Sequence, residues 1–132
     1  MRTKPLKVEL SGRVLTGQGE GRKYIKRQWV KRQIEEKLGF TPYAGTLNLR
    51  LSTGSAKERS VIEKAAVLKI CPPEGYCSGL IFKALIGTQE CAIVIPQIEN
   101  YPKDTLEVVA SINLRERLKL RDGDQVTVSV NF

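Results

Sequence analysis

The chain of 132 residues carries 22 Lys and Arg against 14 Asp and Glu, a formal charge of +8, and no histidine. That length predicts one domain able to bury a core without disulfide or metal staples. The cationic surplus favours polyanionic partners (nucleic acid, acidic lipid or a phosphorylated small molecule), and the missing histidine excludes Ser-His-Asp and Cys-His catalysis of the usual kind.

Val8, Leu10, Gly12 and Val14 alternate with Glu9, Ser11 and Arg13, which predicts a half-buried strand. It runs into "GQGEGRKY", where Gly17, Gly19 and Gly21 stand at alternate positions. Arg22, Lys23, Lys26, Arg27, Lys31 and Arg32 follow without an acid before Glu35. Ile25, Trp29, Val30, Ile34 and Leu38 recur at helical spacing, so one helix is expected over 24–38, with Gly39 as its stop. Leu47, Leu49 and Leu51 alternate with Asn48 and Arg50 and predict a second strand. Residues 52–79 carry little pattern. "LIFKALI" and "CAIVI" around "GTQE" read as a hairpin of buried strands. "DTLEVVA" and "INLRERLKL" read as short helical turns, and "RDGDQVTVSV" as a turn and a last strand with Val126, Val128 and Val130 on one face. Cys71, Cys77 and Cys91 form no CxxC pair and match no tetrahedral zinc pattern, so free thiols of a reduced, cytoplasmic protein are expected. The N-terminus lacks the apolar stretch of a signal peptide, and no apolar run approaches the roughly 18 residues of a membrane span.

Two features could carry chemistry. Alternating glycines let successive N–H groups converge on an anion, although "GQGEG" has neither P-loop nor dinucleotide spacing, and an ordinary bulged turn beside a solvated helix face accounts for the same residues. Thr46 and Asn48, two apart in a strand, put a hydroxyl and an amide oxygen on one face. Magnesium accepts such hard oxygens when phosphates supply the rest; a plain solvent-facing strand edge is the alternative.

"GQGEGRKY", "LGFTPYAGTLNLRL" and "YPKDTLEVVASINLRERLKLRDGD" occur in this order, and with them the chain resembles the archaeal CTP-dependent riboflavin kinases nearly end to end. The resemblance implies a mainly β fold, a six-stranded cradle-loop barrel with short peripheral helices. It implies an Mg²⁺-dependent enzyme that moves the γ-phosphoryl group of CTP to the 5′-hydroxyl of riboflavin, giving FMN and CDP. By the same resemblance, Gln18, Gly19, Glu20, Gly21, Arg22 and Lys23 wrap the CTP phosphates and sugar. Thr46 and Asn48 hold the Mg²⁺ ion. Ile112, Asn113, Leu114 and Arg115 line the cytosine end through main-chain contacts, and Glu107 faces the flavin and its reacting hydroxyl as orienting group or base. Many relatives carry a Thr associated with the flavin phosphate near "IENY"; here that place falls on Glu99 or Asn100. Relatives with an N-terminal winged-helix domain exist, and a chain of this length is expected to hold the kinase domain alone.

A different class of function, a small basic β-barrel that binds nucleic acid or regulates transcription, draws on the charge and on the "DGDQVTVSV" ending. Single-strand binders also need stacking rings, and aromatics here interleave with cations only in "RKYIKRQW". The kinase reading therefore expects no nucleic-acid or membrane partner and is compatible with a monomer.

Overall fold

The computed structural model describes residues 7–17, 20–66 and 68–131. Its elements are β1 (Lys7–Leu15), α1 (Glu20–Ile25), α2 (Gln28–Leu38), β2 (Leu47–Leu51), α3 (Thr53–Lys64), β3 (Leu68–Ile70), β4 (Gly79–Ile86), β5 (Gln89–Pro96), β6 (Thr105–Val109), α4 (Leu114–Arg117) and β7 (Gln125–Asn131). Six strands pair antiparallel in the order β4-β5-β6-β2-β1-β7, and the Ala84↔Val130 pairing of β4 with β7 closes the ring. β3 adds to the other half of β4. The fold is thus mainly β, a closed six-stranded barrel with short helices around it, as expected.

Period-two patterning builds the interior. Val8 opposes Val130 and Leu10 opposes Val128 across β1 and β7, while Leu49 opposes Val14 on one side and Leu106 on the other. Phe82, Ile93 and Val108 carry the layer across β4, β5 and β6. β5 is buried on both faces: Cys91, Ile93 and Ile95 point into the barrel, and Ala92 and Val94 point outward beneath Tyr24, Ile25, Val30 and Ile34 of α1 and α2. That double burial explains the unbroken run "CAIVI".

Two expectations change, and a stretch without pattern takes form. The apolar period over 24–38 serves two helices, because Arg27 is extended (φ −69°, ψ 135°) and separates α1 from α2. The break keeps Lys26 and Arg27 exposed while both helices bury their apolar residues on one patch of β5. Gly39, at φ 81°, ends α2 in the left-handed conformation that glycine adopts without strain. "DTLEVVA" forms strand β6 rather than helix, since Leu106 and Val108 face the core while Glu107 and Val109 are covered on the outer side. Within 52–79 a full helix, α3, opens at Ser52, whose side chain accepts from the Ser55 N–H at 3.3 Å.

All three cysteines are free: Cys71 exposed, Cys77 half-buried, Cys91 buried. Burial in the barrel pushes the Cys91 thiol up to about 12. Among the described residues no helix is long and apolar enough to cross a membrane.

Candidate active site

Strand pairing sets the site. Asn48 of β2 stands opposite Glu107 of β6, and Glu107 opposite Val94 of β5, so these three share the outward face of the sheet. Thr46 lies just before β2, and its hydroxyl sits 3.3 Å from Glu107 Oε1 and 3.5 Å from Asn48 Oδ1. The Asn48 Nδ2 donates to the Thr46 carbonyl at 3.3 Å, which turns Oδ1 toward the cluster. Asn48 is buried and Glu107 fully so.

The other oxygen of Glu107 accepts from the Tyr101 hydroxyl. Burial, reinforced by the negative charge and hydrogen bond of Glu107, holds the Tyr101 phenol well above its ordinary pKa, so it stays a donor. Tyr101 is itself fixed by Arg59 of α3, whose guanidinium carbon lies 5.3 Å from the centre of its ring. Arg59 is 4% exposed. Its Nη1 donates to the carbonyls of Pro102 (2.6 Å) and Thr105 (2.7 Å), and its Nε to Glu63 (2.9 Å).

Two cavities meet at this cluster. One, about 250 Å³, is walled by Thr46 and Asn48 together with Ile112, Asn113, Leu114 and Arg115. The other, about 540 Å³, is walled by Glu99, Asn100, Tyr101 and Glu107. Leu15, Gly17 and Asn48 line both. In the first, the Asn113 side chain is occupied as the cap of α4, accepting from the Glu116 N–H at 3.1 Å. The Arg115 side chain is paired with Asp122 at 2.6 Å. Arg115, together with the Thr16 hydroxyl, holds the Asp122 carboxyl below its usual pKa.

The structure therefore brings Thr46, Asn48 and Glu107 together, puts 112–115 on one side of them and Glu99 and Asn100 on the other. Glu107 lies on a buried strand and not in a surface helix. Gln18 and Gly19 fall outside the described residues. The expected loop over 18–23 becomes helix from Glu20, so Glu20, Gly21 and Arg22 open α1. Lys23, on the exposed side of α1, lines neither of these cavities but a third one beside Trp29 and Tyr76. Sequence reasoning missed Tyr101 and Arg59. Tyr101 stands in "IENY", where only the neighbouring positions drew attention, and Arg59 lies in the segment without apolar pattern.

Gly17 has a steric role. A Cβ on it would stand 2.7 Å from Asn48 Cγ and 2.8 Å from Nδ2, so glycine lets this strand end press against the amide. Gly17→Ala is expected to displace the Asn48 side chain and, in the enzyme that the resemblance implies, to lower turnover tenfold or more, about 1.4 kcal/mol, with little change in melting temperature. Wild-type turnover in that variant would show that the Asn48 position is immaterial.

Hard oxygens dominate the cluster: a hydroxyl, an amide oxygen and a carboxylate, the donor chemistry that Mg²⁺ takes. Among the described residues no group of three or more His, Cys, Asp or Glu side chains could hold a metal ion. An ion here would depend on ligands from outside the protein, as phosphate oxygens provide.

The geometry agrees with sequence comparison. A family model named CTP-dep_RFKase, described as a domain of unknown function (DUF120), matches residues 14–130. The chain is 38% identical over 130 residues to a riboflavin kinase of Methanosarcina barkeri (93% of this chain, 56% of the relative). It is 40% identical over 132 residues to a riboflavin kinase of Pyrobaculum islandicum (95% and 61%), and 39% identical over 127 residues to one of Ignicoccus hospitalis (93% and 71%). The chain thus spans between 56% and 71% of the length of these relatives. The stretch matched by the family model takes in β2 to β6, all but the last residue of β7 and every residue of the Thr46–Asn48–Glu107 cluster, and by it the chain belongs to the CTP-dependent riboflavin kinase domain family.

Proposed function

We propose that the protein is a CTP-dependent riboflavin kinase, transferring the γ-phosphoryl group of CTP to the 5′-hydroxyl of riboflavin. The observation that carries the reading is the meeting of two cavities at one oxygen cluster. A nucleotide in the smaller cavity and a flavin in the larger would bring phosphate and hydroxyl together at Asn48 and Glu107. Family membership supports the same assignment.

Phosphoryl transfer asks for alignment and charge neutralisation more than for covalent chemistry. In this reading Ile112, Asn113, Leu114 and Arg115 recognise the cytosine edge through main-chain N–H and C=O groups, which a fixed backbone presents in one pattern. Gln18, Gly19, Glu20, Gly21, Arg22 and Lys23 enclose the phosphates and sugar. The amides at the start of α1 and the cations beside them offset the charge. Thr46 and Asn48 are the protein's ligands for Mg²⁺, which when bound screens the phosphate oxygens as a Lewis acid. Glu107 aligns the 5′-hydroxyl and accepts its proton as the oxygen attacks phosphorus. Tyr101 and Thr46 keep that carboxylate in place. Glu99 and Asn100 face the flavin from the opposite wall. Asn100 is left-handed (φ 64°), a conformation that Asn tolerates and a β-branched Thr resists, so Glu99 is the better counterpart of the relatives' threonine.

The test is riboflavin with Mg²⁺ and each of the four nucleoside triphosphates in turn, with FMN separated and quantified. CTP is expected to give FMN well above ATP, GTP and UTP, and no FMN when Mg²⁺ is chelated. Equal rates with CTP and ATP would remove the nucleotide assignment; no FMN with any of them would remove the function.

A further inference from the structure

The "RDGD" turn before β7 carries two aspartates with different partners. Asp124 closes the turn: its carboxylate accepts from the Arg121 N–H at 2.8 Å, and its own N–H donates to the Arg121 carbonyl at 3.0 Å. The turn is then fixed to the end of β1, where the Gly123 N–H donates to the Val14 carbonyl (2.7 Å) and the Val14 N–H to the Asp124 carbonyl (2.8 Å). The Asp122 side chain reaches away from that closure. Its carboxylate accepts from the Thr16 hydroxyl, 2.9 Å from Oδ2 and 3.1 Å from Oδ1, and lies 2.6 Å from Arg115 Nη2. Thr16 and Arg115 both wall the cavity of about 250 Å³. Thr16 stands just past β1 beside Gly17, and Arg115 belongs to the 112–115 wall, so one carboxylate ties two separate parts of the cavity together.

We infer that Asp122 is a positioning residue for the nucleotide: it clasps the 112–115 wall to the Thr16–Gly17 strand end and so sets the distance between the two. The inference rests on the kinase reading and adds to it what holds the nucleotide cavity in shape. Gly17 carries the effect inward, because it presses on the Asn48 amide, where an added Cβ would stand 2.8 Å from Nδ2. Fold stability does not account for the arrangement. The Arg115 and Asp122 side chains are 39% and 58% exposed, and pairs so open to water add little to folding. Their consequence is geometric: a wall already held in place binds its ligand without the cost of ordering it. Arg115 could instead be drawn off Asp122 by the phosphates, in which case the pair would oppose nucleotide binding. The two possibilities move CTP affinity in opposite directions when Asp122 is removed.

CTP affinity, the KM for CTP and for riboflavin, and FMN formed with UTP in place of CTP are measured on the wild type, Asp122→Ala, Asp122→Asn, Thr16→Val and Thr16→Ser. Asp122→Ala is expected to raise the Kd and KM for CTP about three- to tenfold, because apparent affinity falls with the fraction of molecules that hold the competent arrangement. The preference for CTP over UTP should narrow, while the KM for riboflavin and the melting temperature stay at wild-type values. Asp122→Asn keeps one accepting oxygen and should fall between. Thr16→Val, which has the same shape without the donor, should weaken CTP in the same direction, and Thr16→Ser, which returns the hydroxyl, should recover most of the affinity. Asp122→Ala combined with Thr16→Val should be no worse than Asp122→Ala alone, since residues of one network do not add. Unchanged or tighter CTP binding in Asp122→Ala would overturn the clasp and leave the kinase reading standing, as would equal rises in both KM values with a lowered melting temperature. A wild-type protein that binds none of the nucleoside triphosphates would overturn both.

Discussion

Glu107→Gln is expected to fold like the wild type and to lose on the order of 10²- to 10⁴-fold in turnover of riboflavin to FMN, the range that general-base catalysis supplies. Glutamine keeps the volume of a fully buried side chain and retains one carbonyl oxygen, so a hydrogen bond from Tyr101 or Thr46 can persist. What it loses is the negative charge and the ability to take a proton. Because burial, the largest cause of the raised Tyr101 pKa, survives the substitution, the phenol stays protonated and cannot substitute as base near neutral pH. Alanine would confuse the result by leaving the partly buried Tyr101 hydroxyl without its acceptor, at up to roughly 1–3 kcal/mol. The measurement is single-turnover FMN formation at saturating CTP and riboflavin, with nucleotide affinity as the control. A rate within threefold of wild type in Glu107→Gln would assign proton acceptance to solvent.

The second large effect is on stability. Arg59 on α3 joins four separate groups: Glu63 on its own helix, the Pro102 and Thr105 carbonyls across the loop before β6, and the Tyr101 ring. Removing one partner of a buried, hydrogen-bonded charge is far costlier than the pair is worth in isolation, about 3–5 kcal/mol. Arg59→Ala also leaves two carbonyls without their donor and a hole between helix and loop. We expect a loss near 3 kcal/mol, equivalent to a fall of roughly 10 °C in melting temperature for a domain of this size. Arg59→Lys should recover only part of it, since an ammonium cannot reproduce the guanidinium fork. Urea denaturation with unchanged m and lowered midpoint is the check. Because the loop holds Tyr101 against Glu107, residual enzyme should also show a raised KM for riboflavin and an unaltered KM for CTP. A melting temperature within 2 °C of wild type would mean that the loop is held by its strands alone.

The barrel was legible in the chain because its evidence is local. Val8-Leu10-Val14, Leu47-Leu49-Leu51 and Val126-Val128-Val130 each alternate over a short stretch, and that alternation is what a strand with one wet face requires. Asn48 and Thr46 could be placed on one face by the same period. Glu107 could not be read from pattern. β6 is covered on both sides, so its sequence has no alternation, and a short run without period is as compatible with a helical turn as with a strand. Helix α3 was hidden for a related reason: two of its inward positions, Ser55 and Arg59, are polar, and only Ile62 shows as apolar. Their burial is licensed by partners distant in sequence, the Ser11 N–H for Ser55 and the 102–105 carbonyls for Arg59. Composition and periodicity thus determined five of the barrel's six strands, β1, β2, β4, β5 and β7, and the core they carry. Which polar residues sit inside, and that Thr46, Asn48, Tyr101 and Glu107 converge, was decided only by antiparallel register, because hydrogen bonds between residues 61 positions apart (Thr46 to Glu107) leave no periodic trace in the chain.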